Sequence, residues 1–238
     1  MFLPKFLTNE LDTEGLSINN VAALHYSMFA RKDYDWWYEI LPDDVVVDIG
    51  AGIGMFTAKA LDARASKVYM IEPNRKILKT AIKNISDALI DTTEPKVIPI
   101  NAAMGRTDAD LMNIFKSATI RDYEEEPKLM SLREFIDSYN IEQIDYLKVD
   151  ACGAEYNILH ESCMDILTEK VRHIAVRCHL NARYGSAESF VKWRDTVLKR
   201  FVEMDRVRFQ DTTLKEKLFD PDWSTKVPSE FMVYIGNW

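Results

Sequence analysis

The chain has 238 residues, a formal net charge of −8 and a pI near 5.1, and that acidic balance argues against a nucleic-acid partner, whose phosphates need a basic face. Asp, Glu, Lys or Arg interrupts every apolar run before it reaches the length of a membrane span. Three cysteines cannot all pair within one chain and the first residues show no charged start followed by an apolar run, so the expectation is a reduced, cytoplasmic protein.

Residues 1–43 read as an N-terminal helical and aromatic cap, with Asn19 and Asn20 placed to start a helix running through Arg31. Tyr34, Trp36, Trp37 and Tyr38 follow, as core or lid packing or, alternatively, a surface on which a sugar stacks. Residues 44–238 are expected to fold as one globular unit. Val45-Val46-Val47-Asp48-Ile49 is an apolar, β-branched run that reads as a buried strand, and Met55 to Leu61 reads as a helix. Between them stand Gly50, Ala51, Gly52, Ile53 and Gly54. Glycines there permit a sharp turn and let a ligand lie against bare backbone, and the first N–H groups of the helix are expected to be available to it. A dinucleotide fingerprint would place its third glycine at position 55, which is Met55. An acid inside the motif suits the ammonium of S-adenosylmethionine better than a pyrophosphate. Asp48, Gly50, Ala51, Gly52 and Gly54 therefore read as an S-adenosylmethionine loop, the plain alternative being a tight strand-to-helix turn.

Lys67 to Ile71 forms a second strand, ending at Glu72 and Pro73, about twenty residues past the loop, where nucleoside-binding α/β folds carry their ribose carboxylate. Ile77, Leu78, Ala81, Ile82 and Ile85 recur at helical spacing, which predicts an amphipathic helix from Asn74 to about Leu89 with a solvated lysine face. A third strand spans Lys96 to Asn101, and Pro99 argues for an edge position. Asn101 and Ala102 end that strand, where an adenine would lie. Beyond Gly105 the pattern weakens, with a short strand expected at Leu111 to Phe115 and an acidic loop at Asp122 to Glu126. Ser131 with Glu134 reads as a capping box over Leu132 to Tyr139.

Strands follow at Ile144 to Asp150 and Val171 to His179, then a helix at Ser189 to Arg200, strands at Phe201 to Phe209 and Glu230 to Ile235, and a polar lid-like loop over 210–229. Strands alternating with helices imply an α/β fold with a parallel sheet, and the last strand pair implies an antiparallel edge. Cys152, His160, Cys163, His173, Cys178 and His179 invite a zinc reading, but they contain no Cys-x-x-Cys and are spread over several elements, so no metal is expected.

The loop Val-Val-Asp-Ile-Gly-Ala-Gly-Ile-Gly, the strand ending Glu72-Pro73, Asn101-Ala102-Ala103-Met104-Gly105 and Leu147-Lys148-Val149-Asp150-x-x-Gly153-Ala154-Glu155 together resemble the FkbM family of class I methyltransferases over roughly residues 44–180. The resemblance implies a Rossmann-like, mostly parallel seven-stranded sheet with helices on both faces and S-adenosylmethionine as methyl donor. It also implies O-methylation of a sugar or other small-molecule hydroxyl. Cys152 and Arg177 depart from it, since the family typically carries Glu at both positions, and each departure removes negative charge near the strand ends. Methyl transfer needs an acceptor oxygen held in line with the methyl and a base for its proton. His179 is expected to be that base, with Asp150 orienting the acceptor or the methionine end of the cofactor. Arg177 and Lys148 are expected on the acceptor side, Arg177 turned to Asp48, Asp150 or Glu155 or receiving an anionic acceptor. A basic groove around Arg31, Lys32 and Arg183 would instead mark a macromolecular substrate, and cofactor binding without transfer would mark a non-catalytic domain.

Overall fold

In the computed structural model, residues 13, 17–89, 96–106, 127–180 and 187–236 are described; the strand expected at Leu111 to Phe115, the acidic loop at 122–126 and Arg183 lie outside them. The main sheet contains β1 (Val45–Ile49), β2 (Lys67–Ile71), β3 (Val97–Ile100), β6 (Ile144–Val149), β7 (Val171–His179), β8 (Val207–Arg208) and β9 (Glu230–Gly236). Their order is β3-β2-β1-β6-β7-β9-β8, and β4 (Ala102–Met104) pairs with β5 (Lys128–Met130) in a separate two-stranded sheet. β1, β2 and β3 run parallel, whereas β9 is antiparallel to both β7 and β8. Pro99 falls on β3, an edge strand, where its missing N–H costs no ladder bond.

By contacts the chain divides into two compact units, the first comprising Met1–Ala103, Asp122–Leu129 and Ile144–Lys148. Val46, Val47, Val68 and Met70 fill its centre with no exposure, as strands covered on both faces require. Helix α2 (Met55–Asp62) follows the glycine loop, and α3 (Arg75–Leu89) turns Leu78, Ala81 and Ile85 inward while Lys79 and Lys83 stay in solvent. The first helix, α1 (Ile18–His25), is capped by Ser17, whose hydroxyl accepts from the Asn20 N–H at 3.2 Å; Ser17 takes the role expected of Asn19 or Asn20 because its side chain reaches the N3 amide. A π-helical turn, Tyr26–Ala30, carries that helix on to Arg31. Of the aromatics behind it, Tyr34 meets Phe56 edge-on at 5.5 Å and Tyr38 stacks on Tyr146 at 6.0 Å. The Tyr146 hydroxyl donates to the Tyr34 carbonyl. These two rings are packing; Trp36 remains exposed.

The second unit comprises Met104–Arg121, Met130–Gln143 and Val149–Trp238. Helix α4 (Leu132–Ser138) forms the expected reciprocal box, Ser131 Oγ accepting from the Glu134 N–H and Glu134 Oε2 accepting from the Ser131 N–H. Next come α5 (Glu155–Ile158), α6 (Met164–Glu169) and α7 (Ala187–Trp193), the last continuing through a π-helical segment, Arg194–Leu198, into α8 (Lys199–Glu203). The strand expected from Phe201 shrinks to Val207–Arg208. Phe190, Trp193, Val197 and Phe201 share one buried stripe at near-helical spacing, and that stripe holds Phe201 in the helix. The segment 210–229 is not a bare loop either, since it contains α9 (Leu214–Leu218) and α10 (Trp223–Lys226).

Candidate active site

Two groups of polar residues stand out, one in each unit. In the first, the glycine loop is tied down from several sides. Gly50 and Ala51 donate their N–H groups to the Ile71 carbonyl at 3.0 Å, and Gly54 donates to Ala51 at 3.0 Å. These loop amides are thus spent on the fold. Gly52 and Gly54 both have positive φ, at 54° and 87°, but serve different ends. A Cβ on Gly54 would stand 3.2 Å from Ala81 of α3, so this glycine lets helix and loop pack. A Cβ on Gly52 would meet nothing within 4 Å: that side of the loop opens onto space a ligand could use.

Glu72 lies opposite. One carboxylate oxygen accepts from the Gly52 N–H at 3.0 Å and the other from the Asn74 N–H at 2.9 Å. Burial pushes its carboxyl up to about 7 even though these bonds and the Lys148 ammonium pull the other way. Asn101 donates from Nδ2 to the carbonyls of Glu72 at 3.0 Å and Pro73 at 2.8 Å, which fixes the turn carrying the acid. Gly52, Glu72, Pro73 and Asn101 are therefore brought together as the sequence expected, and Ala102 follows as a fully buried residue.

Asp48 and Lys148 behave otherwise. Lys148 is 3% exposed, and its ammonium donates to Asp48 Oδ1 at 2.8 Å and to the Gly50 carbonyl at 2.6 Å. The second Asp48 oxygen accepts from the Thr57 hydroxyl at 2.8 Å. With its carboxylate committed to Lys148 and Thr57, Asp48 anchors the loop from beneath; the structure places Lys148 against the loop and not at an open acceptor surface. Neither Thr57 nor this pairing was anticipated.

In the second unit, Glu155 opens α5 and accepts backbone N–H groups from Ala151 at 2.9 Å and Gly153 at 2.8 Å. Its Oε1 also lies 2.9 Å from His179 Nδ1. With the proton on Nδ1 shared to Glu155, the basic atom of the imidazole is Nε2, 3.8 Å from Asp150 Oδ1. Burial opposes the charged imidazole, but the bond to Glu155 and the charges of Glu155, Asp150 and Glu230 outweigh it, so His179 titrates above its ordinary value. Arg177 Nε donates to Asp150 Oδ2 at 3.2 Å, one of the pairings expected for it. The Tyr156 hydroxyl donates to the His179 carbonyl at 2.8 Å and steadies the end of β7. Glu155 was visible as part of a motif but not as the partner of His179, and nothing in the sequence marked Tyr156.

Among the described residues, Asp150, Glu155 and His179 form a set of possible metal ligands, with ligand atoms within 4.8 Å of one another. It differs from the cysteine-rich set considered above: Cys178 is buried, and Cys163 lies 3.2 Å from His160 Nε2 with its thiol pushed up to about 11 by burial. Of the cations that would have marked a macromolecular groove, Arg31 pairs with buried Asp33 and Lys32 lies 3.4 Å from Glu39. No helix among the described residues is long and apolar enough to cross a membrane.

Compared with known families, residues 48–202 match the Methyltransferase FkbM domain. A methyltransferase FkbM from Methylobacillus flagellatus KT superposes with a TM-score of 0.55 at 17% identity, over 89% of this chain and 47% of that one, so this chain spans about half of that protein. A SAM-dependent O-methyltransferase from Thermotoga maritima gives 0.47 at 15% identity, over 100% of this chain and 71% of the other. Aeropyrum pernix fibrillarin, solved with natively bound S-adenosyl-L-methionine, gives 0.44 at 13%, over 91% and 74%. At such identities the first likeness is one of fold, and the other two scores are too low to add to it. No curated protein sequence matches the chain.

Proposed function

The chain belongs to the FkbM methyltransferase domain family, and from that premise we propose that it transfers a methyl group from S-adenosylmethionine to a hydroxyl oxygen of a sugar or other small molecule. The cofactor would be held by Gly52 and Glu72, with Asn101 and Pro73 shaping the adenosine end. The fit is supported by the open side of Gly52 and by a buried carboxylate at the position where a ribose diol needs acceptors. When bound, the cofactor supplies an electrophilic methyl on a sulfonium. The rest falls to the chain: to hold the hydroxyl in line and to remove its proton.

The observation that carries this reading is the His179–Glu155 contact at 2.9 Å. A carboxylate fixed by two backbone N–H groups sets the imidazole tautomer and stabilises the imidazolium formed once the proton is taken, while Asp150, held by Arg177, orients the acceptor. A labelled-methyl screen across sugars, phenols and carboxylates tests it. His179→Ala should lower kcat on an alcohol hydroxyl by about 10²–10⁴-fold with cofactor affinity nearly unchanged, and should spare acceptors acidic enough to ionise unaided. Wild-type turnover of the variant on an alcohol would overturn the role of His179, and cofactor binding with no transfer to any acceptor would overturn the activity.

A further inference from the structure

A cavity of about 70 Å³ lies in the second unit, lined by residues to which the proposed transfer gives no role. Its lining includes Arg106, Asn157, His160, Glu161, Lys192 and Trp193. Two permanent cations face one carboxylate, the reverse of the charge balance of the chain as a whole. His160 is committed through both ring nitrogens, Nδ1 lying 2.7 Å from Ser162 Oγ and Nε2 lying 3.2 Å from Cys163 Sγ, so it is a wall of the cavity.

The independent observation is Trp193. The residue is 2% exposed and its Nε1 is buried with no hydrogen-bond partner. An indole nitrogen can only donate, and a buried donor left unmet is costly, so such a group points to a missing acceptor. Directly after Trp193 the helix loosens into the π-helical segment 194–198, a distortion frequent at functional sites. The volume is several times the roughly 10–15 Å³ that one water needs on the same measure. It admits a head group of a few heavy atoms.

We propose that this cavity binds an oxyanion, a phosphate or carboxylate group, which accepts from Trp193 Nε1 and is balanced by Arg106 and Lys192. A water molecule could meet the indole but would gain nothing from the two cations. Tyr156 lines the same cavity and donates to the His179 carbonyl, so the occupant lies one side chain from the proposed base. An acidic substituent on the acceptor is one source of such a group, and a free anion is the other.

The test follows the Trp193 indole N–H resonance, assigned by its loss in Trp193→Phe, in the full chain without S-adenosylmethionine. Failure here therefore leaves the methyl-transfer reading untouched. Inorganic phosphate, acetate and a sugar phosphate are titrated separately at constant ionic strength, with chloride as control. A saturable shift is expected, with the dissociation constant raised about tenfold or more in Lys192→Gln and in Arg106→Gln. Lys192 is exposed, so its variant folds even where the arginine variant does not. Tighter binding of the sugar phosphate than of phosphate assigns the cavity to the acceptor, and equal binding assigns it to a free anion; acetate in place of phosphate makes the group a carboxylate. A linear response, one matched by chloride, or one unchanged in Lys192→Gln overturns the proposal.

Discussion

The buried carboxylate of Glu72 should make nucleoside affinity depend on pH near neutrality. Both its oxygens already accept a backbone N–H, from Gly52 and Asn74, and an ionised carboxylate has about two further lone-pair sites to offer a ribose diol. Protonation removes one of those sites and turns an acceptor into a donor. With the carboxyl at about 7, the ionised fraction rises from about one in eleven at pH 6 to about ten in eleven at pH 8. A ligand that needs the ionised form should therefore bind about tenfold more tightly at pH 8, a difference of about 1.4 kcal/mol. Adenosine is the probe of choice in calorimetry, because it keeps the ribose and lacks the amino-acid end whose own ammonium would titrate. Glu72→Gln should bind more weakly at pH 8 and show no slope. Equal affinity at pH 6 and 8, or a slope that persists in Glu72→Gln, would refute the reasoning. The stability linkage has the opposite sign: a carboxyl raised in the folded state contributes most below its ordinary 4.5, and that contribution is lost as pH climbs through about 7.

Lys148→Met should destabilise the protein by about 3–5 kcal/mol, roughly 10 °C in Tm, because Asp48 is left charged and buried; a double variant with Asp48→Asn should recover part of the loss in thermal melts, and an equal loss would refute the pairing. Gly52→Val should abolish the melting shift produced by cofactor, worth about 2.7 kcal/mol at a hundredfold over Kd, whereas Gly54→Ala should keep that shift and lower the ligand-free melt through its contact with Ala81. If His179 is the base, kcat should rise with pH through a midpoint above the ordinary histidine 6.5, since the neutral form appears only there, and Glu155→Gln should move that midpoint down in a pH–rate profile. Turnover should survive EDTA, because Arg177 engages Asp150 while two backbone N–H groups and His179 engage Glu155; loss restored by Mg²⁺ or Mn²⁺ would show a metal at that cluster.

What the sequence showed well was local. The strand at Val171–His179 and the Ser131–Glu134 box can be read from a few neighbouring residues, and both form as expected. The glycine loop was legible for the same reason, but the division of labour within it was not. Gly54 is required by Ala81, on a helix that the loop meets only after folding, and Gly52 is defined by what is absent beside it. Lys148 shows the limit most plainly. Its strand was read correctly, yet whether its ammonium would point at an acceptor or at Asp48, a hundred residues earlier, depends on a desolvation cost that only three oxygen partners could offset. Phe201 failed for a related reason: a short apolar run bounded by charges suits a strand or a buried helix, and the aromatic stripe it joins decided the matter.

The two departures from the family pattern bear on the charge around His179. Glu155 stabilises the imidazolium and fixes the tautomer, but each further carboxylate also holds the imidazole in the charged form that cannot accept a proton. A Glu at position 177 would add such a charge on the face of β7 that carries His179. Arg177 instead pairs with Asp150 at 3.2 Å and offsets part of the charge that Asp150 places beside the imidazole, while Glu155 sets the tautomer. Cys152 is exposed at φ 50°, in the left-handed region that suits a tight turn, and as a neutral side chain it removes one more charge from the same turn. The contacts on which the proposed base depends, Glu155 on Nδ1 and backbone N–H groups on Glu155, therefore involve the side chain of neither position.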